Sequence, residues 1–221
     1  MKLKRLFVFL SLIITLIKAN AQEVPVVISN CSINDNPMVF FISNDEVWDE
    51  PEEKLKADLK KNKIQFVGLY SDKYFAARST PQKAAKELSP LIRKYRADWG
   101  NKEVVILGYG FGANVAPFIF NQLDDDVKKA VAKIILIRPS QTTDFMIHPK
   151  DKIASNDEVY AWNVAREILK ITTVEVVCLK SQKDNSLFKP EQISDNIKVD
   201  TLNIGTNYCD YINLPMLITK K

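Results

Sequence analysis

The sequence predicts a three-layer α/β fold with a mostly parallel central sheet. Short apolar runs rich in β-branched residues alternate with segments of helical periodicity, which is the pattern of strands joined by crossover helices. One strand-like run, 104–107, ends in glycines at Gly108, Gly110 and Gly112 before a helical pattern begins. Closely spaced glycines at such a junction indicate a sharp turn at which strand and helix backbones approach closely.

The first 21 residues have the composition of a cleavable signal peptide. A basic start is followed by the apolar stretch 6–17 and by Ala19-Asn20-Ala21, the small residues of a cleavage site. We therefore expect a periplasmic or secreted protein with one mature domain over 22–221. A retained N-terminal anchor is the alternative, although the stretch is short for a bilayer. No later segment is apolar and long enough to span a membrane, so none is expected after cleavage.

The charge balance gives no support to nucleic acid or an anionic membrane as a partner. The signal peptide carries four of the 31 Lys and Arg residues and none of the 27 Asp and Glu residues, so the mature segment is formally neutral. Neither a cofactor motif nor a pair of metal-ligating His and Cys residues is visible, so no cofactor and no metal are expected. The ligand or protein partner stays open.

Three cysteines, Cys31, Cys178 and Cys209, leave the disulfide pairing open. An exported chain permits disulfides, and an odd number allows one bridge with one free thiol. In an α/β fold, Cys178 and Cys209 are candidates for neighbours at the top of the sheet.

Local sequence patterns predict where the helices and strands begin and end. Pro residues just after Asp49 and Thr80 indicate helix starts, and Trp99-Gly100 indicates the end of the second helix. Pro90 is expected to kink or split that helix, and Pro117 to bend the helix after the glycines. Helical patterns also cover 159–170 and 211–218. The expected strands are 24–28, 38–42, 64–70, the run before Gly108, 133–137, 174–179 and 197–202.

The glycine-rich junction has the form of a nucleophile elbow without its nucleophile. In the G-x-S-x-G elbow of α/β-hydrolases, a serine occupies the strained central position between strand and helix. Here the segment reads Gly108-Tyr109-Gly110-Phe111-Gly112, and the central residue is Gly110. The turn is therefore expected to persist, whereas a serine nucleophile is absent from its usual place.

Residues 108–117 resemble the GYSFGADVLP segment of the VirJ-type bacterial virulence domain, an α/β-hydrolase-like periplasmic family that includes AcvB. Further blocks agree in order and spacing, and the similarity extends over roughly residues 37–212. The resemblance implies an α/β-hydrolase fold, a periplasmic location and a role linked to secretion or to aminoacylated phospholipids. The other matching blocks are Tyr74-Phe75 with Arg78 and Thr80-Pro81, residues 93–100, Asn121-Gln122-Leu123, and residues 144–148, which resemble DFEIH.

The oxyanion loop of that family, SGDGGW, corresponds here to Ser43-Asn44-Asp45-Glu46-Val47-Trp48. Asp45 and Trp48 match, and the three glycines do not. An oxyanion hole needs backbone N–H groups directed at a developing negative charge, and Glu46 adds a charge of the wrong sign. The elbow and this loop, Gly108 to Gly112 with Asp45 and Trp48, are interpreted as vestigial.

The other two members of a serine-hydrolase triad are also incomplete. The family's GGHHF block corresponds to residues 205–209, where Asn207 stands in place of a histidine. Asp184 is the candidate for the acid. Serine hydrolysis needs a nucleophile and a base, and neither Gly110 nor Asn207 can serve, because glycine has no side chain and an amide does not accept a proton near neutral pH.

Alternative interpretations remain for several residues. Gly110 either opens a ligand pocket or reflects relaxation of a strained turn. His148, the single histidine, is either a recruited base or a structural hydrogen-bonding residue, and Cys209 is a further nucleophile candidate. Asp144 is interpreted as a loop cap, as is Asp184. Arg78 is expected to contact either an anionic ligand or a carboxylate at a helix start.

The hypothesis that follows is a catalytically inactive binding or accessory module in a cell-envelope or secretion-related function. The alternative is an active hydrolase of esters or aminoacylated phospholipids that uses a non-standard nucleophile or base. A third possibility is a structural partner of an active relative. An open pocket above Gly110 favours ligand binding, and a filled one favours a protein-interaction role.

Export predicts a defined N-terminus. Cleavage after Ala21 should give a periplasmic protein that begins at Gln22, measurable by intact-mass analysis of fractionated cells. Recovery of the chain only from the cytosol with Met1 retained would contradict the predicted signal peptide.

Overall fold

A mostly parallel sheet of seven strands lies at the centre of the computed structural model, which describes residues 23–148, 162–181, 194–202 and 214–219. The predicted signal peptide, Asp184, Asn207 and Cys209 lie outside the described residues. The strands are β1 Val26–Ser29, β2 Met38–Ile42, β3 Phe66–Leu69, β4 Val104–Tyr109, β5 Val131–Ile137, β6 Thr142–Thr143, β7 Trp162–Asn163, β8 Glu175–Ser181 and β9 Ile197–Leu202.

The strand order places β4 in the middle of the sheet. The order is β1-β3-β2-β4-β5-β8-β9, in which β1 is antiparallel to β3 and all other neighbours are parallel. Strands β6 and β7 form a separate two-stranded antiparallel ladder. The helices are α1 Glu50–Lys61, α2 Ser71–Tyr74, α3 Pro81–Trp99, α4 Phe111–Gln122, α5 Asp125–Ala130, α6 Val164–Ile168 and α7 Leu214–Thr219.

Apolar clusters cover both faces of the sheet, which confirms the predicted three layers. Along β4, Val104 and Ile106 pack into the cluster that contains α3 and α4, whereas Val105 and Leu107 point to the opposite face. Because successive side chains of a strand alternate between faces, a strand covered on both sides must be apolar throughout. None of the helices in the described ranges has the length and apolarity that a membrane span requires.

The helix starts predicted from the sequence are confirmed. The Thr80 hydroxyl accepts a hydrogen bond from the Lys83 N–H (3.1 Å), and the Glu52 carboxylate accepts one from the Asp49 N–H (3.3 Å). Gly100 ends α3 in the left-handed conformation, with φ 72°. The predicted split of this helix is wrong, because α3 continues through Pro90 without interruption.

The helix predicted over 159–170 begins later than expected. Trp162 and Asn163 form β7, and α6 starts at Val164, after Asn163 accepts a hydrogen bond from the Arg166 N–H (2.8 Å). The Trp162 ring packs edge-on against Phe145 and Phe118, at centroid distances of 5.6 and 5.5 Å. This tertiary packing keeps the segment extended. The predicted C-terminal helix is present over Leu214–Thr219, and residues 211–213 lie outside the described ranges.

Two elbow glycines allow α4 to approach the sheet. A Cβ on Gly112 would lie 2.6 Å from the Ile42 carbonyl carbon, and one on Gly108 would lie 2.7 Å from Ala113 Cα. Both contacts are with backbone atoms, which cannot move aside as a flexible side chain can. Glycine at these positions therefore places the first turn of α4 at the carboxyl ends of β2 and β4.

Substitution of Gly112 tests this constraint. Gly112→Ala should lower the free energy of unfolding by about 2–3 kcal/mol, because the added methyl overpacks a backbone contact. The matched control is Gly100→Ala, where a Cβ would meet only Ile33, at 3.9 Å, and where the left-handed backbone alone should cost about 1 kcal/mol. Urea denaturation of both variants measures the difference, and equal losses would refute the close-packing argument.

Candidate ligand site above the strand-to-helix turn

Gly110 forms the predicted strand-to-helix turn between β4 and α4. Its backbone lies at φ 53° and ψ −114°, a region that residues with a Cβ rarely adopt. The Gly110 N–H donates to the Ile137 carbonyl (2.9 Å), and the Gly110 carbonyl accepts from the Asn114 N–H (3.1 Å). The turn is therefore bonded on one side to β5 and on the other to the first turn of α4.

The side chain of Asn44 occupies the space directly above this turn. Its Oδ1 accepts a hydrogen bond from the Phe111 N–H (3.0 Å). A Cβ on Gly110 would collide with the same Oδ1 and would lie 2.8 Å from Asn44 Cγ. In an elbow with a serine, the hydroxyl would lie in this region, and the next N–H would form part of the oxyanion hole. The Asn44 carboxamide thus occupies the space of a serine hydroxyl and also bonds the N–H that would contribute to an oxyanion hole.

The sequence interpretation did not single out Asn44. The signal was present, because Asn44 stands where the family's oxyanion loop has its first glycine. A glycine there has no side chain to enter the site, whereas asparagine has one of the right length. Which way that side chain points depends on the fold, and the sequence does not state it.

Strand β2 and helix α2 fix the backbone that carries Asn44. The buried Ser43 hydroxyl accepts from the Ser71 N–H (3.0 Å), and the Ser71 hydroxyl donates to the Ser43 carbonyl (2.8 Å). Two buried hydrogen bonds between the same residues hold the end of β2 against the start of α2. Asn44 therefore extends from an anchored position.

An open cavity of about 430 Å³ lies beside the Asn44 side chain. The cavity lies at the carboxyl ends of β2 and β4, beside the first turn of α4. Its remaining wall is the segment 140–146, which follows β5 and contains β6. Cavities of this volume accommodate small ligands. Its lining residues are Asn44, Asp45, Gly110, Phe111, Asn114, Ser140, Gln141, Thr142, Thr143, Asp144 and Met146.

Arg78 and His148 both contact Asp144 at the edge of the cavity. Asp144 Oδ2 lies 3.3 Å from an Arg78 guanidinium nitrogen and 3.2 Å from His148 Nε2, and Asp144 Oδ1 accepts the Phe145 N–H (2.7 Å). Asp144 is thus both a loop cap and the shared partner of a guanidinium and an imidazole. The Arg78 side chain is 67% exposed, so this contact is made largely in solvent.

Trp48 and Tyr109 lie away from the cavity. The Trp48 ring packs on Tyr70 at a centroid distance of 5.0 Å, and its Nε1–H donates to Glu53 (2.8 Å). Burial raises the pKa of Tyr109, and the adjacent Arg138 partly opposes that shift. These two residues of the vestigial region are thus packed among structural neighbours rather than along the cavity wall.

The described thiols offer no nucleophile at the site. Cys178 is fully buried within β8, and burial raises the pKa of its thiol to about 12, so it stays protonated at neutral pH. Cys31 and Cys178 form no disulfide with each other. Within the described ranges no group of His, Cys, Asp and Glu side chains could hold a metal ion. The structure leaves Asp184, Asn207 and Cys209 undescribed.

The family profile of the bacterial virulence protein VirJ matches residues 36–216. The chain belongs to the VirJ family. The match includes the Gly110 turn, the Asn44 loop and the segment that carries Asp144 and His148. None of the curated proteins compared with the sequence matches it.

Solved structures show that this VirJ-family chain has the α/β-hydrolase fold. A sugar hydrolase (YeeB) from Lactococcus lactis superimposes with a TM-score of 0.58 and 15% identity, over 81% of this chain and 79% of that one. Carboxylesterase CesB from Bacillus subtilis gives 0.54 and 11%, over 88% and 86%. The poly(3-hydroxybutyrate) depolymerase LpqC from Bordetella parapertussis gives 0.53 and 10%, over 81% and 77%. At these identities, the likeness concerns the fold alone.

The hydrogen bond from Phe111 to Asn44 can be tested directly. Asn44→Ala should lower stability by about 1 kcal/mol and speed hydrogen exchange of the Phe111 amide, because the first N–H of α4 loses its partner. Asn44→Asp keeps an acceptor oxygen beside the helix N-terminus and should preserve protection. Amide exchange by NMR distinguishes the variants, and unchanged Phe111 exchange in Asn44→Ala would show that the bond is absent in solution.

Proposed function

We propose that this VirJ-family protein is a non-hydrolytic binding or accessory module of the cell envelope or of secretion, with its ligand site in the cavity above Gly110. The observation that carries the proposal is the Asn44 carboxamide, which fills the place of a nucleophile and takes the Phe111 N–H. A site blocked in this way lacks both the attacking group and a free donor for an oxyanion. The open cavity beside it still supports ligand binding.

The residues available for catalysis agree with this proposal. Gly110 has no side chain with which to attack, and Asn207 stands where the resemblance places the base. An amide cannot accept a proton at neutral pH. Two of the three triad roles are therefore without a suitable group at the positions that the resemblance assigns to them.

Export is part of the proposal and is supported by the sequence alone. The basic and apolar N-terminal segment with Ala19-Asn20-Ala21 has the form of a signal peptide. The resemblance to a periplasmic family points to the same compartment. A binding module for envelope components would require that location.

One observation favours the alternative, an active hydrolase of esters or aminoacylated phospholipids. His148 Nε2 contacts Asp144, and Asp144 lines the cavity, so a carboxylate orients an imidazole next to a possible ligand. An imidazole oriented by a carboxylate can act as a general base toward water when its other ring nitrogen carries the lone pair. Arg78 competes for the same carboxylate, and the Phe111 N–H is already bonded to Asn44, which makes this arrangement the weaker candidate.

Activity-based labelling tests the absence of a serine hydrolase. The wild type should neither react with a fluorophosphonate probe nor turn over p-nitrophenyl esters. Gly110→Ser should also be inert, since the new hydroxyl would lack a base and would displace Asn44. Adding Asn44→Gly removes the obstruction but still supplies no base. Only the further change Asn207→His should give labelling, and that labelling should be weak because the base lacks a supporting shell.

Wild-type turnover would contradict the proposal, and matched variants identify its source. Loss of that turnover in His148→Ala would support the Asp144–His148 alternative, and loss in Cys209→Ala would assign the nucleophile to that thiol. Turnover that survives both changes would show that the active site lies elsewhere. Circular dichroism of each variant establishes that the fold is intact.

A further inference from the structure

Most of the residues that line the cavity above Gly110 have hydrogen-bonding side chains, and polar and apolar atoms contribute about equally to its surface. Six lining residues carry amides or hydroxyls and two carry carboxylates, whereas Phe111 and Met146 are the large apolar ones. Pockets for apolar ligands are lined predominantly by apolar and aromatic side chains. An acyl chain in this cavity would leave polar groups without partners, which is unfavourable. The wall therefore favours a ligand that is itself rich in polar groups.

Two fixed amide donors belong to this wall. Asn44 Oδ1 accepts the Phe111 N–H (3.0 Å), and Asn114 Oδ1 accepts the Ser140 N–H (2.6 Å). Both carboxamides therefore have their oxygen directed at the backbone. Their Nδ2 groups have no hydrogen-bond partner among the described residues, and Asn114 is more than nine-tenths buried. Neither amino group is among the fully buried polar atoms without a partner, so an oriented donor of this kind is accessible to water or to a ligand in the cavity.

Two carboxylates provide the acceptors. The charge of Asp144 is offset by Arg78, whereas Asp45 has no hydrogen-bond or ion-pair partner in the described part of the chain. Among the described residues that line the cavity there is neither Lys nor Arg. An anionic ligand would meet an unbalanced negative charge at Asp45, so the cavity disfavours it.

We propose that this cavity binds an uncharged polyhydroxylated ligand of the saccharide type. A hydroxyl both donates and accepts, so neighbouring hydroxyls can donate to Asp45 and accept from the Asn114 amino group together. An ammonium group only donates and a carboxylate only accepts, so either one leaves one kind of wall group unpaired. The Phe111 ring, held edge-on against Phe75 at 5.1 Å, offers a fixed apolar surface for the C–H face of a sugar ring.

This inference rests on the proposed function, because it assigns a ligand class to the same non-hydrolytic cavity. Binding to the mature chain would be measured by saturation-transfer NMR and calorimetry. The probes are neutral disaccharides (maltose, cellobiose and N,N′-diacetylchitobiose), anionic glucuronate, cationic glucosamine, and octanoate. At least one neutral disaccharide should bind, with glucuronate weaker by about tenfold or more and octanoate without detectable binding.

Variants assign the binding to the cavity. Asp45→Ala removes the acceptor and should weaken disaccharide binding about tenfold or more. Asn114→Asp keeps the oxygen that accepts from Ser140, removes the amino donor, and should weaken binding similarly. The matched control is Asp125→Ala on the exposed surface of α5, which should bind as the wild type does.

The outcomes separate this inference from the proposed function. No disaccharide binding by the folded protein, tighter binding of octanoate, or disaccharide binding unaffected by Asp45→Ala would each overturn the saccharide assignment. Tighter binding of glucosamine than of every neutral disaccharide would overturn the assignment to an uncharged ligand. None of those binding results would be evidence for catalysis, so the non-hydrolytic proposal would stand. Ester turnover by the wild type would overturn the proposed function instead, and disaccharide binding is measured independently of it.

Discussion

The close approach of α4 to the ends of β2 and β4 determines the geometry of the whole site. Gly112 lies against the Ile42 carbonyl and Gly108 against the backbone of Ala113, so neither position has room for a Cβ. This contact directs the first N–H of α4 toward the loop that follows β2. The position of the cavity, the bond to Asn44 and the strained backbone of Gly110 all follow from it.

The turn at Gly110 has a structural role that does not depend on catalysis. The Gly110 N–H is bonded to β5, and its carbonyl is bonded to α4, so the turn joins the central strands to a helix that is largely buried. Glycine adopts the required positive φ at the lowest cost. Loss of the serine side chain would therefore relieve strain and leave these bonds intact, whereas loss of Gly112 would separate helix and sheet.

In the proposed function, the Asn44 carboxamide closes the site to acyl chemistry and leaves it open to a ligand. Its oxygen satisfies an N–H at the positive end of a 12-residue helix, which would otherwise need water or a ligand. Its amino group has no hydrogen-bond partner among the described residues, and Asn44 lines the cavity together with Asn114. In this proposal, the same side chain blocks the reaction centre and supplies part of a polar wall.

The sequence by itself determined the fold class, the family and the turn at Gly110. Those features depend on local patterns, namely apolar runs, Pro after helix caps and glycines at fixed spacing, which are readable without the tertiary structure. It also showed that no serine stands at the elbow. The extent of the helix predicted over 159–170 was wrong, because packing of Trp162 on Phe118 and Phe145 overrides local periodicity.

Only the tertiary structure decided which side chains share one cavity. Asn44, Asn114 and Asp144 lie far apart in sequence, and they meet because parallel strands end at the same edge of the sheet. The direction of each carboxamide depends on a backbone N–H from another segment, Phe111 for Asn44 and Ser140 for Asn114. No local pattern encodes that pairing, since it arises from the register of β2, β4 and β5 in the folded sheet.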